Sequence, residues 1–217
     1  MEGRDHVVWR DPERRSWWAR SAPRHLPDGL EGGRAYDSVV LESEPDDTAD
    51  LVLRLNASRD VLFDEVVTLT LDEARTEVRI ALQWTTDYDC MIAGFVNGVR
   101  VDEGHHIEGF KEAITALINV FAQARADDDS DFLGEDVREG LTAVVSVKKS
   151  PDPFVVGGKL DDMDIRSFVE RAVTDGSGKW LEDHPREARD ILLKASEARH
   201  RRIMAQEAWV RKRRSGR

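Results

Sequence analysis

The run Leu141-Thr142-Ala143-Val144-Val145-Ser146-Val147 restricts the fold of this chain more than any other stretch. It is mostly apolar and rich in β-branched residues. Gly140 bounds it on one side and Lys148-Lys149-Ser150-Pro151 on the other. Such a run reads as a central, buried strand. Its lead-in, Leu133 to Glu139, is charged. Gly134 and Gly140 permit tight backbone paths there. Asp136, Arg138 and Glu139 stand where contacts at the strand's entrance can form, although a plain charged turn is the default reading.

Around this strand the hydrophobic period predicts further elements. Val66–Leu71, Glu77–Trp84 and Met91–Val96 read as strands, with Asn97-Gly98 as a hairpin turn. Ser38–Glu42 and Leu51–Leu55 also read as short strands, separated by turn residues at Pro45-Asp46-Asp47 and closed by Asn56-Ala57-Ser58. Ile107, Phe110, Ile114, Leu117, Ile118 and Phe121 fall at helical spacing, so an amphipathic helix should run to about Ala126. The acidic run Asp127-Asp128-Asp129-Ser130-Asp131 lacks the Gly and distal Glu of a calcium loop and reads as a solvated loop. Ile165, Phe168, Val169, Ala172 and Val173 give a second, short helix that Gly176-Ser177-Gly178 should break or interrupt. Asp183-His184-Pro185 opens a last helix toward Arg213, a rod of roughly 40 Å at 1.5 Å per residue.

Charge is distributed unevenly. Eleven basic residues stand against four acidic ones from Pro185 onward, so the net −11 divides into +7 there and −18 elsewhere. An acidic body carrying a basic helix does not fit a protein coated in nucleic acid, but it leaves the helix itself a candidate for phosphate contacts. No stretch approaches the ~20 apolar residues of a membrane span, and the N-terminus has no secretory signal. A single cysteine, Cys90, permits no internal disulfide and fits a reducing cytoplasm. Residues 1–35 form an Arg/Trp-rich leader, in which Trp9, Trp17 and Trp18 alternate with arginines. It reads as an ill-ordered segment docking on the body, or as an interaction arm. Gly29, Gly32 and Gly33 with Pro23 and Pro27 mark a linker, and residues 36–65 hold short strands of unassigned origin.

The words GEDVREGLTAVVSVK resemble the middle of the transducer domain of DNA gyrase B and of its topoisomerase IV counterpart, in the type IIA DNA topoisomerase family. Ile80-Ala81-Leu82-Gln83-Trp84, Gly104-His105-His106-Ile107-Glu108-Gly109-Phe110 and Ile165-Arg166-Ser167-Phe168-Val169-Glu170 agree in the same order. The resemblance covers residues 66 to 213 and assigns 66–217 to one transducer-like domain. It implies an α+β, ribosomal S5 domain 2-like fold: a mixed sheet packed by helices, a long C-terminal helix, and a left-handed βαβ crossover against the usual hand.

It also implies function. The family is an ATP-hydrolysing DNA topoisomerase that uses ATP and Mg. The motifs of its ATPase and DNA-cleavage domains are not found here, and no Ser-His-Asp or Cys-His arrangement stands out. The chain is therefore expected to bind no cofactor alone, to have no catalytic residue, and to relay the nucleotide state of a partner ATPase domain. In the family a loop after this strand carries a Gln-Thr-Lys triplet whose lysine reaches the terminal phosphate of ATP. Lys159 matches that lysine or a later one of the loop, but the Gln-Thr pair is missing and an ordinary exposed lysine is the alternative. The paired transducers of the family frame a hole for duplex DNA. Arg186, Arg189, Lys194, Arg199, Arg201 and Arg202 are the candidates for backbone contacts there, with a solvated helix face as the competing reading. His105 and His106 beside Glu103 and Glu108 invite a zinc site. No distal pair completes a tetrahedron, so a structural histidine at the start of the helix is favoured, His106 matching the family's Gly-Thr-His. Expected partners are gyrase subunits or an ATPase domain, duplex DNA, and a second copy. The alternative function is a gyrase-binding modulator that mimics the transducer.

Overall fold

The computed structural model describes residues 47–215 apart from 74, 126–130, 152, 154 and 157. The expected strand at Ser38–Glu42, the Trp/Arg leader and most of the acidic run lie outside the described residues. Helix α1 is Thr48–Leu55. Strands β1 (Val67–Glu73), β2 (Thr76–Trp84), β3 (Met91–Val96), β4 (Val99–Arg100) and β6 (Leu141–Lys149) form a five-stranded sheet in the order β1-β2-β6-β3-β4. A smaller sheet joins β5 (Glu103–Gly104), β8 (Lys159–Leu160) and β7 (Val155–Val156), in that order. The remaining helices are α2 (His105–Gln123), α3 (Gly134–Arg138), α4 (Met163–Asp183) and α5 (Pro185–Ser215). This is the mixed α+β sheet with a long terminal helix that the resemblance implied. None of the helices among the described residues is long and apolar enough to cross a membrane.

Strand β6 occupies the centre because both its edges and both its faces are satisfied. It pairs antiparallel with β2 and parallel with β3. Its alternate residues point to opposite faces. Leu141, Ala143, Val145 and Val147 join Val78, Ile80, Leu82 and Trp84 of β2 beneath Phe110, Ile114 and Ile118 of α2 and Val169 and Val173 of α4. On the other face Val144 meets Ala81, Ala93 and Phe95 under Leu51 and Val52 of α1. Each fully buried aliphatic side chain of this size contributes about 1.5–3 kcal/mol. The same outer face carries a buried polar chain. Thr142 donates to Asn56 Oδ1 (2.7 Å), Asn56 Nδ2 donates to Gln83 Oε1 (3.0 Å), and Gln83 Nε2 donates to the Phe63 carbonyl (3.0 Å).

Three expectations are corrected. Leu51–Leu55 is not a strand but the body of α1. A five-residue apolar run cannot distinguish the two periods, and the decision falls to Asp47, whose carboxylate accepts from Ala49 N (2.9 Å) and caps the helix. Gly176-Ser177-Gly178 does not break α4, which continues for 21 residues through it. An added Cβ at Gly176 would stand 2.7 Å from Leu69 Cδ2, so the missing side chain lets the helix lie close on β1. The charged lead-in to β6 is a helical turn, α3, closed by Asp136, which accepts from Leu133 N (2.9 Å).

The start of α2 is tightly specified. Gly104 precedes it at φ 116°, and a Cβ there would lie 2.4 Å from the amide nitrogen and carbonyl oxygen of Leu160. His106 follows, fully buried. Its Nε2–H donates to the Val101 carbonyl (2.7 Å), while Nδ1 is buried with no partner among the described residues. Burial penalises the imidazolium more than the Val101 carbonyl and Asp102 favour it, pulling the pKa down from 6.5 to about 4.

Two outcomes follow from this turn. Gly104→Ala costs at least ~2 kcal/mol in urea unfolding, because strained backbone and a backbone clash coincide; a midpoint equal to the wild type's would contradict the geometry. The folded pKa of His106 lies below the unfolded one, so its contribution is complete above pH 6.5 and is lost as pH falls toward 4. That loss is on the order of 3 kcal/mol. NMR titration of the imidazole should show it neutral at pH 5; an inflection near 6.5 would contradict the burial argument.

Candidate functional site

The residues singled out from the sequence lie at two ends of β6. At its C-terminal end the chain turns through β7 and β8. Lys159 sits on β8, in register with Glu103 of β5, and Leu160 beside it is buried. Lys159 Nζ is 2.5 Å from Glu103 Oε2, with both side chains more than half exposed. The hydrogen bond between them lowers the Glu103 pKa and raises that of Lys159. Nearby, Lys149 Nζ donates to Asp162 Oδ2 (2.6 Å). The other oxygen of Asp162 caps α4, accepting from Asp164 N (3.1 Å) and Ile165 N (3.2 Å). Burial opposes the charge of Asp162, but the bond from Lys149 and these amides outweigh it and hold its carboxyl below the ordinary range. The last residues of β6 and the first turn of α4 are therefore tied together. An open hollow of about 510 Å³ lies at this end of the sheet, its wall mixed in sign (Asp72, Arg75, Glu77, Lys148, Lys149).

At the other end of β6 stands α5, joined to α4 at His184. This joint is pinned. Trp180 Nε1 donates to Glu65 Oε1 (3.1 Å), His184 Nε2 lies 3.5 Å from Glu65 Oε2, and the two rings stack at 4.7 Å. Beyond the joint α5 buries only a narrow stripe, Ala188, Ile191, Ala195 and Ala198. Three of these four are alanines, so apolar burial along the rod is thin. Polar contacts add to it. Lys194 is buried and donates to the carbonyls of Asp87 (2.8 Å) and Thr86 (3.2 Å), with Glu139 at 3.5 Å. Arg201 pairs with Glu139 and lies 5.0 Å over the Tyr88 ring. Arg202 grips Asp136 with two parallel bonds, Nε to Oδ1 (2.9 Å) and Nη2 to Oδ2 (2.8 Å). Burial works against the Asp136 charge, yet Arg202, the Leu133 amide and Arg199 together keep its carboxyl below the ordinary range.

The six basic candidates on α5 therefore divide. Lys194, Arg201 and Arg202 have their charge matched inside the molecule. Arg186 and Arg189 are exposed with no ion pair among the described residues, and Arg199 is half-buried. From Met204 to Arg213 every residue of α5 is exposed. Sequence reasoning placed Asp136 and Glu139 at the entrance of β6 without their partners, and it missed Glu65. His105 lies 3.7 Å from Asp161. Among the described residues no group of three His, Cys, Asp or Glu side chains is placed to hold a metal ion. Asp136→Ala should cost on the order of 2 kcal/mol in urea unfolding, since it leaves the Leu133 amide without its acceptor and Arg202 with only the exposed Glu135 at 3.5 Å. Glu103→Gln should leave the midpoint unchanged; equal losses in the two variants would contradict this ranking.

Comparison with known proteins agrees with this geometry. A family model for DNA gyrase B matches residues 48–210. DNA gyrase B of Micrococcus luteus is 36% identical over 171 residues, which is 73% of this chain and 24% of that protein. DNA gyrase B of Mycobacterium tuberculosis H37Rv is 32% identical over 170 residues, 76% of this chain and 25% of that protein. The chain thus spans about a quarter of the length of these relatives. Among solved structures, the 43K ATPase domain of Thermus thermophilus gyrase B in complex with an aminocoumarin superposes with a TM-score of 0.69 at 28% identity, covering 74% of this chain and 45% of that one. The gyrase B-subunit of Myxococcus xanthus, at TM-score 0.58 and 24% identity, shares the fold. The family match extends upstream of the resembling segments to include α1, the helix that closes the outer face of the sheet. By sequence over most of its length and by the arrangement of sheet, helices and terminal rod, this chain belongs to the DNA gyrase B family.

Proposed function

We propose that this chain acts as a transducer of the type IIA topoisomerase B component, relaying the nucleotide state of a partner ATPase domain to DNA strand passage. One observation carries the reading: the loop bearing Lys159 and the base of α5 are the two ends of a single 21-residue helix, α4. That helix is fixed at its start by Asp162 and Lys149 and at its finish by Trp180, His184 and Glu65. A push on the loop is thereby delivered to the rod, as rigid elements transmit motion when their ends are pinned.

Lys159 is the nucleotide contact in this reading. Its ammonium, a compact charge on a long stem, suits a terminal phosphate. In the free chain Glu103 holds it, but exposed pairs are worth little in water, so exchanging a carboxylate for a phosphate is easy. ATP and Mg belong to the partner domain. Arg186, Arg189 and Arg199 supply DNA-backbone contacts, through charge and counterion release without base reading. Lys194, Arg201 and Arg202 are committed to the body and contribute only to the field. A second reading, a modulator that docks on intact gyrase in place of its own transducer, rests on the same fold.

The decisive mixture is this chain with a gyrase B ATPase domain produced without its own transducer. ATP turnover should rise on addition of the chain, and Lys159→Ala should abolish the rise. No change at stoichiometric excess would refute the relay. Loss of supercoiling when the chain is added to intact gyrase, without any gain in the first mixture, would favour the modulator. For DNA, binding of a short duplex followed by anisotropy should weaken with salt, and Arg186→Ala/Arg189→Ala should reduce the slope by about 2; an unchanged slope would remove these two residues from the interface.

A further inference from the structure

The lever reading leaves open what sets the direction of α5, and the contacts around it supply an answer. The rod is attached at four places, one of them Lys194, which donates to the Thr86 and Asp87 carbonyls. Its base is the joint at His184, held by Glu65 and Trp180. Its first half lays the narrow Ala188, Ile191, Ala195, Ala198 stripe on the body. Its middle is caught by the segment that leads into β6 at Leu141: Asp136 of α3 and Glu139 just after it hold the rod's cations, and Glu135 stands 3.5 Å from Arg202. From Met204 to Arg213 the rod is exposed.

We propose that Asp136 and Glu139 are positioning residues for the lever: by gripping Lys194, Arg201 and Arg202 they fix the direction of the free end of α5, and their release is what lets it swing. The inference rests on the transducer reading for its purpose, but the grip itself is a property of this chain alone.

Three features support it. The grip is polar where the rest of the contact is thin. The two carboxylates are fastened differently. Asp136 is buried and bonded at both oxygens to one guanidinium. Glu139 is shared between Lys194 and Arg201, which also stand over the exposed Tyr88 ring. Finally, α3 is anchored elsewhere by contacts that do not involve the rod. Arg138 donates to Thr115 Oγ1 (3.1 Å) on α2, and the Trp84 indole donates to the Val137 carbonyl (3.0 Å). The gripping element therefore keeps its place whether or not the rod is held.

The test measures the direction of the rod in the 217-residue chain. In a Cys90→Ser background, Asp175→Cys on α4 and Gln206→Cys on the free part of α5 carry spin labels, and pulsed dipolar spectroscopy gives their distance distribution. Residue 206 is ~32 Å from the joint along the rod, so a swing of roughly 15° moves it by ~8 Å. The labelled chain with the grip intact should give one narrow distribution. Asp136→Asn/Glu139→Gln, which keeps an acceptor for the Leu133 amide while removing both charges, should broaden or displace it, with circular dichroism unchanged. Arg201→Gln/Arg202→Gln removes two of the three gripped cations from the rod's side, leaves α3 untouched, and should reproduce the result.

An unchanged distribution in both variants would overturn the proposal, because the alanine stripe, the joint and the Lys194 bonds to the Thr86 and Asp87 carbonyls would then suffice to aim the rod. Unfolding of both would also overturn it, since the contact would be a determinant of the fold and not a latch. If one variant unfolds, the other decides by the same criterion. The measurement needs neither a partner domain nor nucleotide, so failure of the relay in the mixing experiment and failure of the grip are read separately.

Discussion

The double burial of β6 is the constraint on which the other features rest. A strand covered on both faces and paired on both edges cannot shift register without moving Val145 or Val144 out of its own cluster. Its two ends are consequently fixed points. One end delivers Lys149 to Asp162 and so positions the start of α4. The other is entered through α3 and the residue after it, where Asp136 and Glu139 meet α5. Loop, helix, joint and rod form a circuit that begins and ends on the same strand.

Electrostatics assigns different work to different stretches of the rod. The basic excess visible from Pro185 onward is a property of composition, but its use is a property of position. Half of the six candidate cations answer carboxylates on the acidic body. That matching is what a +7 helix lying on a −18 body should produce. Of the remainder, Arg186 and Arg189 are exposed and Arg199 is half-buried, and the exposed end beyond Met204 carries Arg211, Lys212 and Arg213 with no acidic residue after Glu207. Attachment and outward charge are thus separated along one helix.

Much of the sheet was legible in the residues. β1, β2, β3 and β6 were marked by alternation or by a β-branched run, and Asn97-Gly98 by the positive φ that both residues adopt. Helix α2 was marked by its apolar stripe. What could not be read depended on partners distant in the chain. Leu51–Leu55 looks the same as strand or helix until Asp47 caps it. Gly176 reads as a breaker until Leu69 is beside it. The site was legible in kind, not in arrangement. Asp136 stood out at the entrance of β6, but its partner Arg202 lies 66 residues away. Lys159 came from resemblance alone, and Glu65 sends no sequence signal at all, since a single acid before a strand reads as a surface residue.

The central claim is that body and rod are one rigid piece as far as the grip, and that the exposed turns beyond it are less firmly held. Native-state amide hydrogen exchange along α5 measures this directly. The account predicts that amides from about Ile191 to Arg202 exchange as slowly as those of β6, opening only with global unfolding, while those after Met204 exchange at rates close to a frayed helix. Uniform exchange along the whole of α5, fast or slow, would contradict it.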